Sequence, residues 1–237
     1  MITTVHTCSK CSSTNIVHNG KNASGSPTYH CKDCKVYRVL KSVKNTEKVD
    51  KEAVLRTYEE RNSYRSVGRI FKISHTTVFK WLKKKAKALP PLKETILPAQ
   101  ADTVIEVAEI FTYVGNKSKQ IRIWIAQNRQ TRQIIAFFIG DGTKESGKRL
   151  GRKLPDTYLK WRSFSDLYAS YNGIPKTTHT KIGKETGLTN HIERLNNTIR
   201  QRFSRMVRKT LSFSKKLYML NLHFKLWAFE YNQQLVS

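Results

Sequence analysis

Acidic residues are scarce in this 237-residue chain: seventeen Asp and Glu stand against forty-four Lys and Arg, leaving +27 at neutral pH and a pI near 10.1. No apolar run approaches membrane-spanning length and no lipidation signature occurs, so a bilayer is not the expected partner. The opening MITTVHTCSK lacks the apolar core of a secretory signal, which predicts a cytoplasmic, reducing compartment. Cysteine is scarce too. Four residues in such a compartment point to a metal more than to disulfides. What is present suffices for a core: 38% hydrophobic and 10% aromatic residues argue against wholesale disorder, and the length allows two small domains or one with appendages. The positive excess calls for a polyanionic partner, because each phosphate neutralised by a protein releases condensed counterions. Nucleic acid is that partner.

All four cysteines fall in CSKCSSTNIVHNGKNASGSPTYHCKDC, as C-x2-C, nineteen residues, then C-x2-C. Two residues between cysteines let both thiolates of a knuckle reach one tetrahedral ion. Cys8, Cys11, Cys31 and Cys34 thus make a four-thiolate shell for structural zinc, with two disulfides or four free thiols as the bland alternatives. The shell has no open position, so this zinc would not be catalytic. His6, His18 and His30 are surplus to it. The intervening NG and SGSP predict the turns of a hairpin.

In VKNTEKVDKEAVLRTYEERNSYRSVGRIFKISHTTVFKWLKKKAKAL, Val54, Leu55 and Tyr58 recur at helical spacing in a first helix from about Asp50. Ser63 or Ser66 would cap a second helix, SVGRIFK; ISHTT would turn the chain, and HTTVFKWLKKKAK would bury Val78, Trp81 and Leu82. Two helices joined by a short turn, the second basic, predict a helix-turn-helix. His75, Thr76, Thr77 and Lys80 would face base edges, and Lys83, Lys84 and Lys85 phosphates; a helical bundle with a solvated lysine face is the alternative. LPPLKETILP, with three prolines, marks a linker.

Beyond Pro98, TVIEVAEIFTYV, QIRIWIAQN and RQIIAFFIG read as three strands joined by short hairpin loops, GNKSK and RQT. A helix, KESGKRLGRKL, and a fourth strand, TYLKWRSFS, follow, and that strand ends at Asp166. Strand ends are where α/β sheets place chemistry, although a helix N-cap explains one aspartate equally well. THTKIG supplies a fifth strand, and LTNHIERLNNTIRQRFSRMVRKTLSFSKK a long basic helix with Ile192, Leu195, Ile199 and Phe203 on its apolar face. Glu193, Asn197 and Arg200 share another face, where a lone acid among arginines is easily an intrahelical ion pair. KKLYMLNLHFKLWAFEYNQQ is an aromatic helix expected to pack on the sheet or on another subunit.

Three antiparallel strands, a helix, a strand ending in Asp166 and a later helix with Glu193 resemble the ribonuclease-H-like fold of DDE transposases and integrases. More narrowly, EVAEIFTYVGNKSKQ, FSDLYASY and HIERLNNTIRQRFSRMVRKTLSFSKK look like the catalytic motifs of the IS-one family of insertion-sequence transposases, and the N-terminal half is similar to that family's end-binding part. The fold class implied is α/β, a ribonuclease-H-like DDE domain preceded by a zinc ribbon and a helix-turn-helix. Its divisions would be 1–42 zinc ribbon, 43–90 helix-turn-helix, 91–100 linker and 101–237 catalytic domain. The resemblance implies binding of terminal inverted repeats and target DNA by a homodimer or larger assembly, in association with a prokaryotic nucleoid. It also implies three carboxylates holding two divalent ions, Mg2+ or Mn2+, for in-line displacement at phosphorus. Asp166 and Glu193 match the second and third carboxylates, Arg200 a basic position near the DNA, and Asn197 would position a phosphate or a bound water.

The first carboxylate belongs immediately before Glu109, and this chain has Ala108 there. A methyl group cannot ligate a hard cation. Glu106 lies on the same strand face but roughly 6–7 Å along it, and Glu109 points the other way, as a structural acid paired with an arginine. Three explanations stand: an alanine introduced to trap an uncut complex, a degenerate natural copy, or residual activity supported by Glu106. Each predicts little or no cleavage by this chain, and a non-catalytic, transposase-derived DNA-binding protein or repressor is the alternative function.

Overall fold

The computed structural model describes residues 5–23, 25–40, 49–60, 63–174, 178–207 and 212–236. The chain divides into two compact units, Met1–Asp50 and Lys51–Ser237. In the first, β1 (Ile16–Lys21), β2 (Pro27–Cys31) and β3 (Tyr37–Val39) form an antiparallel sheet in that order. The hairpin is where it was expected, but its NG dipeptide is not the turn. Gly20, at φ +69°, sits at a break in register between His18 and Lys21 inside β1. The chain reverses one step later, where the Asn22 side-chain oxygen accepts the Ser26 amide at 2.9 Å. An asparagine that bonds the backbone ahead of it builds the turn itself and leaves the preceding glycine as a bulge.

The second unit opens with α1 (Lys51–Glu60), α2 (Tyr64–Ile70) and α3 (His75–Ala88). Val54, Leu55, Tyr58, Val67, Val78, Leu82 and Ala86 are buried at helical spacing, while Trp81 is only half-buried. Ser63 caps α2 and Ser74 caps α3, so His75, Thr76 and Thr77 form the first turn of α3, as expected of HTTVFKWLKKKAK, and of ISHTT only Ile73 and Ser74 lie in the connection. The connection is tighter than ISHTT suggested, because Ile73 N–H bonds Gly68 O at 2.9 Å. A Cβ on Gly68 would lie 2.8 Å from that Ile73 oxygen, which is why glycine stands there.

The rest of this unit is a mixed five-stranded sheet in the order β6-β5-β4-β7-β8. β4 (Val104–Val114), β5 (Asn116–Asn128) and β6 (Ile134–Gly140) make an antiparallel meander. β7 (Arg162–Ser165) and β8 (His179–Lys181) extend it in parallel from the other edge of β4. GNKSK is not a loop: β5 begins at Asn116, and Gly115 alone, at φ +83°, turns the hairpin. The fourth strand is also shorter than expected. Residues Asp156–Tyr158, after Pro155, form a 3-10 turn, and the buried Tyr158 hydroxyl donates to Leu97 O at 2.8 Å.

Helices cover both faces. α4 (Lys144–Gly151) lies with Ile105, Val107, Trp124 and Tyr171 on one side. On the other, α5 (Asn190–Arg202) and α6 (Leu217–Gln234) pack Ile192, Leu195, Ile199, Leu220 and Phe224 against Ile110, Ile123 and Ile125. The basic helix is half the expected length: Phe203, buried, turns out of helical geometry and ends it, and positions 208–211 of the expected helix lie outside the described residues. α6 packs on the sheet, as its aromatic face required. No helix among the described residues is long and apolar enough to cross a membrane.

β6 is an edge strand, and a buried side chain completes its outer ladder. Asn232 of α6 accepts from Ile134 N–H at 2.8 Å and donates to Ile134 O at 2.9 Å. Asn232→Ala leaves both backbone groups unpaired away from water, so unfolding in urea should show a loss of about 2–4 kcal/mol. A loss under about 1 kcal/mol would mean that the edge is satisfied in another way.

Candidate active site and metal cluster

Each C-x2-C is followed by a residue in the left-handed region, Ser12 and Lys35, both at φ 58°. That turn folds each knuckle back on itself, and Lys10 N–H points at Cys8 Sγ from 3.4 Å. The Lys10 and Cys11 amides hold the Cys8 thiol down at about 6, and the Cys34 amide lowers Cys31. Cys8 and Cys34 Sγ are 3.6 Å apart, as are Cys11 and Cys31, and all four sulfurs lie within 4.8 Å of one another. A tetrahedron with metal–sulfur arms of about 2.3 Å has edges of about 3.8 Å, whereas a disulfide is about 2.05 Å long. The cluster is therefore compatible with zinc. The three nearby histidines pack on tyrosine rings instead, His6 and His18 against Tyr29 and His30 stacked on Tyr37.

On α3, His75, Thr76, Lys80 and Lys84 are exposed, and Thr77 and Lys83 half-buried. Lys83 Nζ lies 5.7 Å from the centre of the Tyr218 ring. Lys85 does not belong with the phosphate-facing lysines. Its ammonium is 2.7 Å from both Glu59 and Glu230, so two carboxylates already neutralise it and tie α3 to α1 and α6.

β4 and β7 run parallel with Glu106 opposite Phe164. Continuing that register brings Asp166, just past the end of β7, level with Ala108. Ala108 is half-buried against the core that holds Ile192 and Leu195 of α5. Glu193 is the next residue along that helix and is exposed; Asn197, one turn on, is exposed as well. Arg200 is half-buried, its guanidinium 5.4 Å from the centre of the exposed Phe111 ring. Asp166 is half-buried and accepts Tyr168 N–H at 2.9 Å. Among the described residues, the four cysteines are the one set of three or more metal-ligating side chains whose ligand atoms converge. Asp166 and Glu193 offer hard oxygen ligands and Ala108 only a methyl group, so these three side chains together do not fit a pair of divalent ions.

The two glutamates beside Ala108 have separate employment. Glu106, fully buried, accepts the His191 and Ile192 amides of α5 at 3.0 and 2.8 Å, with Arg129 3.6 Å from its other oxygen. It is thereby committed to the helix. Glu109 faces the opposite layer, 2.7 Å from Arg122 and hydrogen-bonded by the Tyr171 hydroxyl. Arg122 in turn stacks 4.6 Å from the centre of the Tyr168 ring, in the loop after Asp166. Arg122, Tyr168 and Tyr171 escaped the sequence reading. Pairing register alone could have found Arg122, two residues from Trp124, the partner of Glu109 across the hairpin.

Residues 102–231 match the family model described as IS1 transposase, and residues 49–91 match the model for the CENP-B N-terminal DNA-binding domain. The insertion element iso-IS1n protein InsB of Shigella dysenteriae is 34% identical over 115 residues, 48% of this chain and 85% of that protein. The insertion element IS1 4 protein InsB of Escherichia coli K12 is 32% identical over 113 residues, which cover 47% of this chain and 65% of that protein. The N-terminal match is to a DNA-binding domain, and it begins after the cysteine cluster.

Burial raises the Glu109 carboxyl above its usual range, Tyr171 opposes that, and the nearby Asp166 charge adds to it. A raised carboxylate pKa favours the neutral form in the fold, so its ionisation costs stability as pH rises through the ordinary glutamate value. Arg122→Met removes the compensating cation. We expect a loss of about 2 kcal/mol at pH 7 that shrinks toward about pH 4, where Glu109 is protonated. A deficit independent of pH in denaturation curves would show that Arg122 stabilises only through packing.

Proposed function

Because the chain belongs to the IS1 transposase family, we propose that it recognises the terminal inverted repeats of an insertion sequence and has the architecture for their cleavage and transfer, but does not cut as it stands. The observation that supports this most directly is the parallel register of β4 and β7, in which the aspartate after one strand stands level with an alanine on the other. In this reading Asp166 and Glu193 are metal ligands, and Ala108 occupies the place of the ligand that would bridge them. Two divalent ions, Mg2+ or Mn2+, would supply charge neutralisation at the attacking and leaving oxygens once that ligand is restored. An introduced and an inherited alanine have the same chemical consequence.

DNA contact in this reading begins with residues 43–90 as a helix-turn-helix. His75, Thr76, Thr77 and Lys80 meet base edges, and Lys83 and Lys84 meet phosphates, with Asn197 and Arg200 near the strand to be cut. Residues 1–42 form a zinc ribbon, 91–100 a linker and 101–237 the ribonuclease-H-like domain. Handling two ends together calls for a homodimer or a larger homo-oligomer. The methyl at Ala108 equally favours a second reading, a transposase-derived protein that binds ends without processing them.

Strand cleavage of end-bearing duplex DNA in Mg2+ or Mn2+ tests the proposal. The chain as written should bind and leave the strands intact; Ala108→Asp should cut, and Ala108→Asp with Asp166→Asn should not. Cutting by the alanine form would overturn the assignment of position 108. End binding by Ala108→Asp without cutting would favour the second reading.

The cysteine cluster has its own test. Titrating the metal-free chain with Co2+ should develop a thiolate charge-transfer band that saturates at about one equivalent and collapses on adding Zn2+. Cys11→Ser should weaken it. Absence of the band in the reduced chain would remove the zinc ribbon.

A further inference from the structure

The buried carboxylate of Glu106 has no part in the ligand set just described, yet it joins the strand of Ala108 to the helix of Glu193. α5 begins without a cap of its own, since Thr189 makes no side-chain hydrogen bond to the helix. The His191 and Ile192 amides are instead met from the sheet, both by Oε2 of Glu106. This is a costly way to cap a helix. A Ser, Thr or Asp on the helix itself would do so at the surface, whereas Glu106 is fully withdrawn from water, with Arg129 at 3.6 Å as its nearest cation. What the arrangement secures is position. Glu106 and Ala108 share one face of β4, and the second capped amide belongs to the residue immediately before Glu193. Sliding α5 by one residue would move its side chains about 1.5 Å along the axis, and misplacements of that size cost catalysis heavily.

We propose that Glu106 is a positioning residue: by capping α5 from the strand of the first ligand position, it holds Glu193 at the height of Ala108 and Asp166. This rests on the reading of Asp166 and Glu193 as metal ligands, and the two can fail separately.

The test uses the full chain carrying Ala108→Asp, into which Glu106→Gln, Glu106→Asp and Glu106→Ala are placed. Gln keeps an oxygen at the right reach for both amides. Asp keeps the charge but draws it back by about 1.5 Å. With Gln, cleavage should stay within about threefold of the parent. With Asp, the Mn2+ concentration for half-maximal cleavage should rise about tenfold or more, with end-DNA affinity unchanged. A metal ligand would show the reverse order, Asp tolerated and Gln not, and that order overturns the proposal. So does an Asp variant that needs no more metal than the parent, because a cap that only stabilises the fold lowers the folded fraction without changing the metal requirement. Amide hydrogen exchange in the chain with Ala108 in place is the readout independent of activity. Glu106→Asp should speed exchange at His191 and Ile192 about tenfold or more while Phe224 on α6 is unaffected; unchanged exchange at those two amides overturns the proposal even if Ala108→Asp never cuts. Should Glu106→Ala fail to fold, the Gln and Asp variants decide alone.

Discussion

The two-residue period of β4 is the constraint on which the rest of the second unit depends. This strand lies at the centre of the sheet, with a hairpin partner on one edge and the parallel β7 on the other. Its alternation sends Glu106, Ala108 and Ile110 toward α5 and α6, and Ile105, Val107 and Glu109 toward α4. A slip of one residue would exchange the two sets and take Glu109 away from Arg122 and Tyr171. Both faces of the strand are covered, so its apolar residues alone would not distinguish the two registers, and the acids do. The two acids could then be given fixed, separate partners: helix amides for Glu106, and Arg122 with Tyr171 for Glu109.

A second set of contacts ties the three N-terminal helices of this unit to α6. His223 is buried between the hydroxyls of Tyr58 and Tyr64, and burial, with Arg205 nearby, depresses its imidazole to about 3. It therefore serves as a neutral hydrogen-bonding group at physiological pH. Lys85 spans Glu59 and Glu230, and Lys225 donates to Leu89 O at 2.6 Å. Polar residues on a helix with +27 of net charge around it invite assignment to DNA, and several of them are occupied inside the protein. The lysines of α3 thus divide by what lies opposite them, which composition does not reveal.

The element order, the burial of Val54, Leu55 and Tyr58 or of Ile192, Leu195 and Ile199, and the cysteine cluster were all legible in the sequence, because each rests on a local period or spacing. The errors fell where a side chain competes with the backbone. Asn22 took the turn from Asn19 and Gly20, and Tyr158, whose hydroxyl is bonded to Leu97 O, belongs to a 3-10 turn where the fourth strand was expected to begin. Phe203 stopped α5 because its ring is buried among Phe224 and Trp227, a long-range contact with no local signature.

By itself the sequence determined that the chain seeks a polyanion, that its cysteines form two knuckles, and that position 108 carries a methyl group with no oxygen to offer a metal. These follow from composition, spacing and the chemistry of one side chain. The pairing of Glu109 with an arginine on the opposite face was also expected, and only the tertiary structure decided which groups the two acids meet. Glu106 and Glu109 are three residues apart and chemically identical, and their roles differ because the sheet separates them into layers with different partners. The alignment of Ala108 with Asp166 was likewise decided by strand pairing across more than fifty residues of chain, since hydrogen-bond register is a property of two strands together.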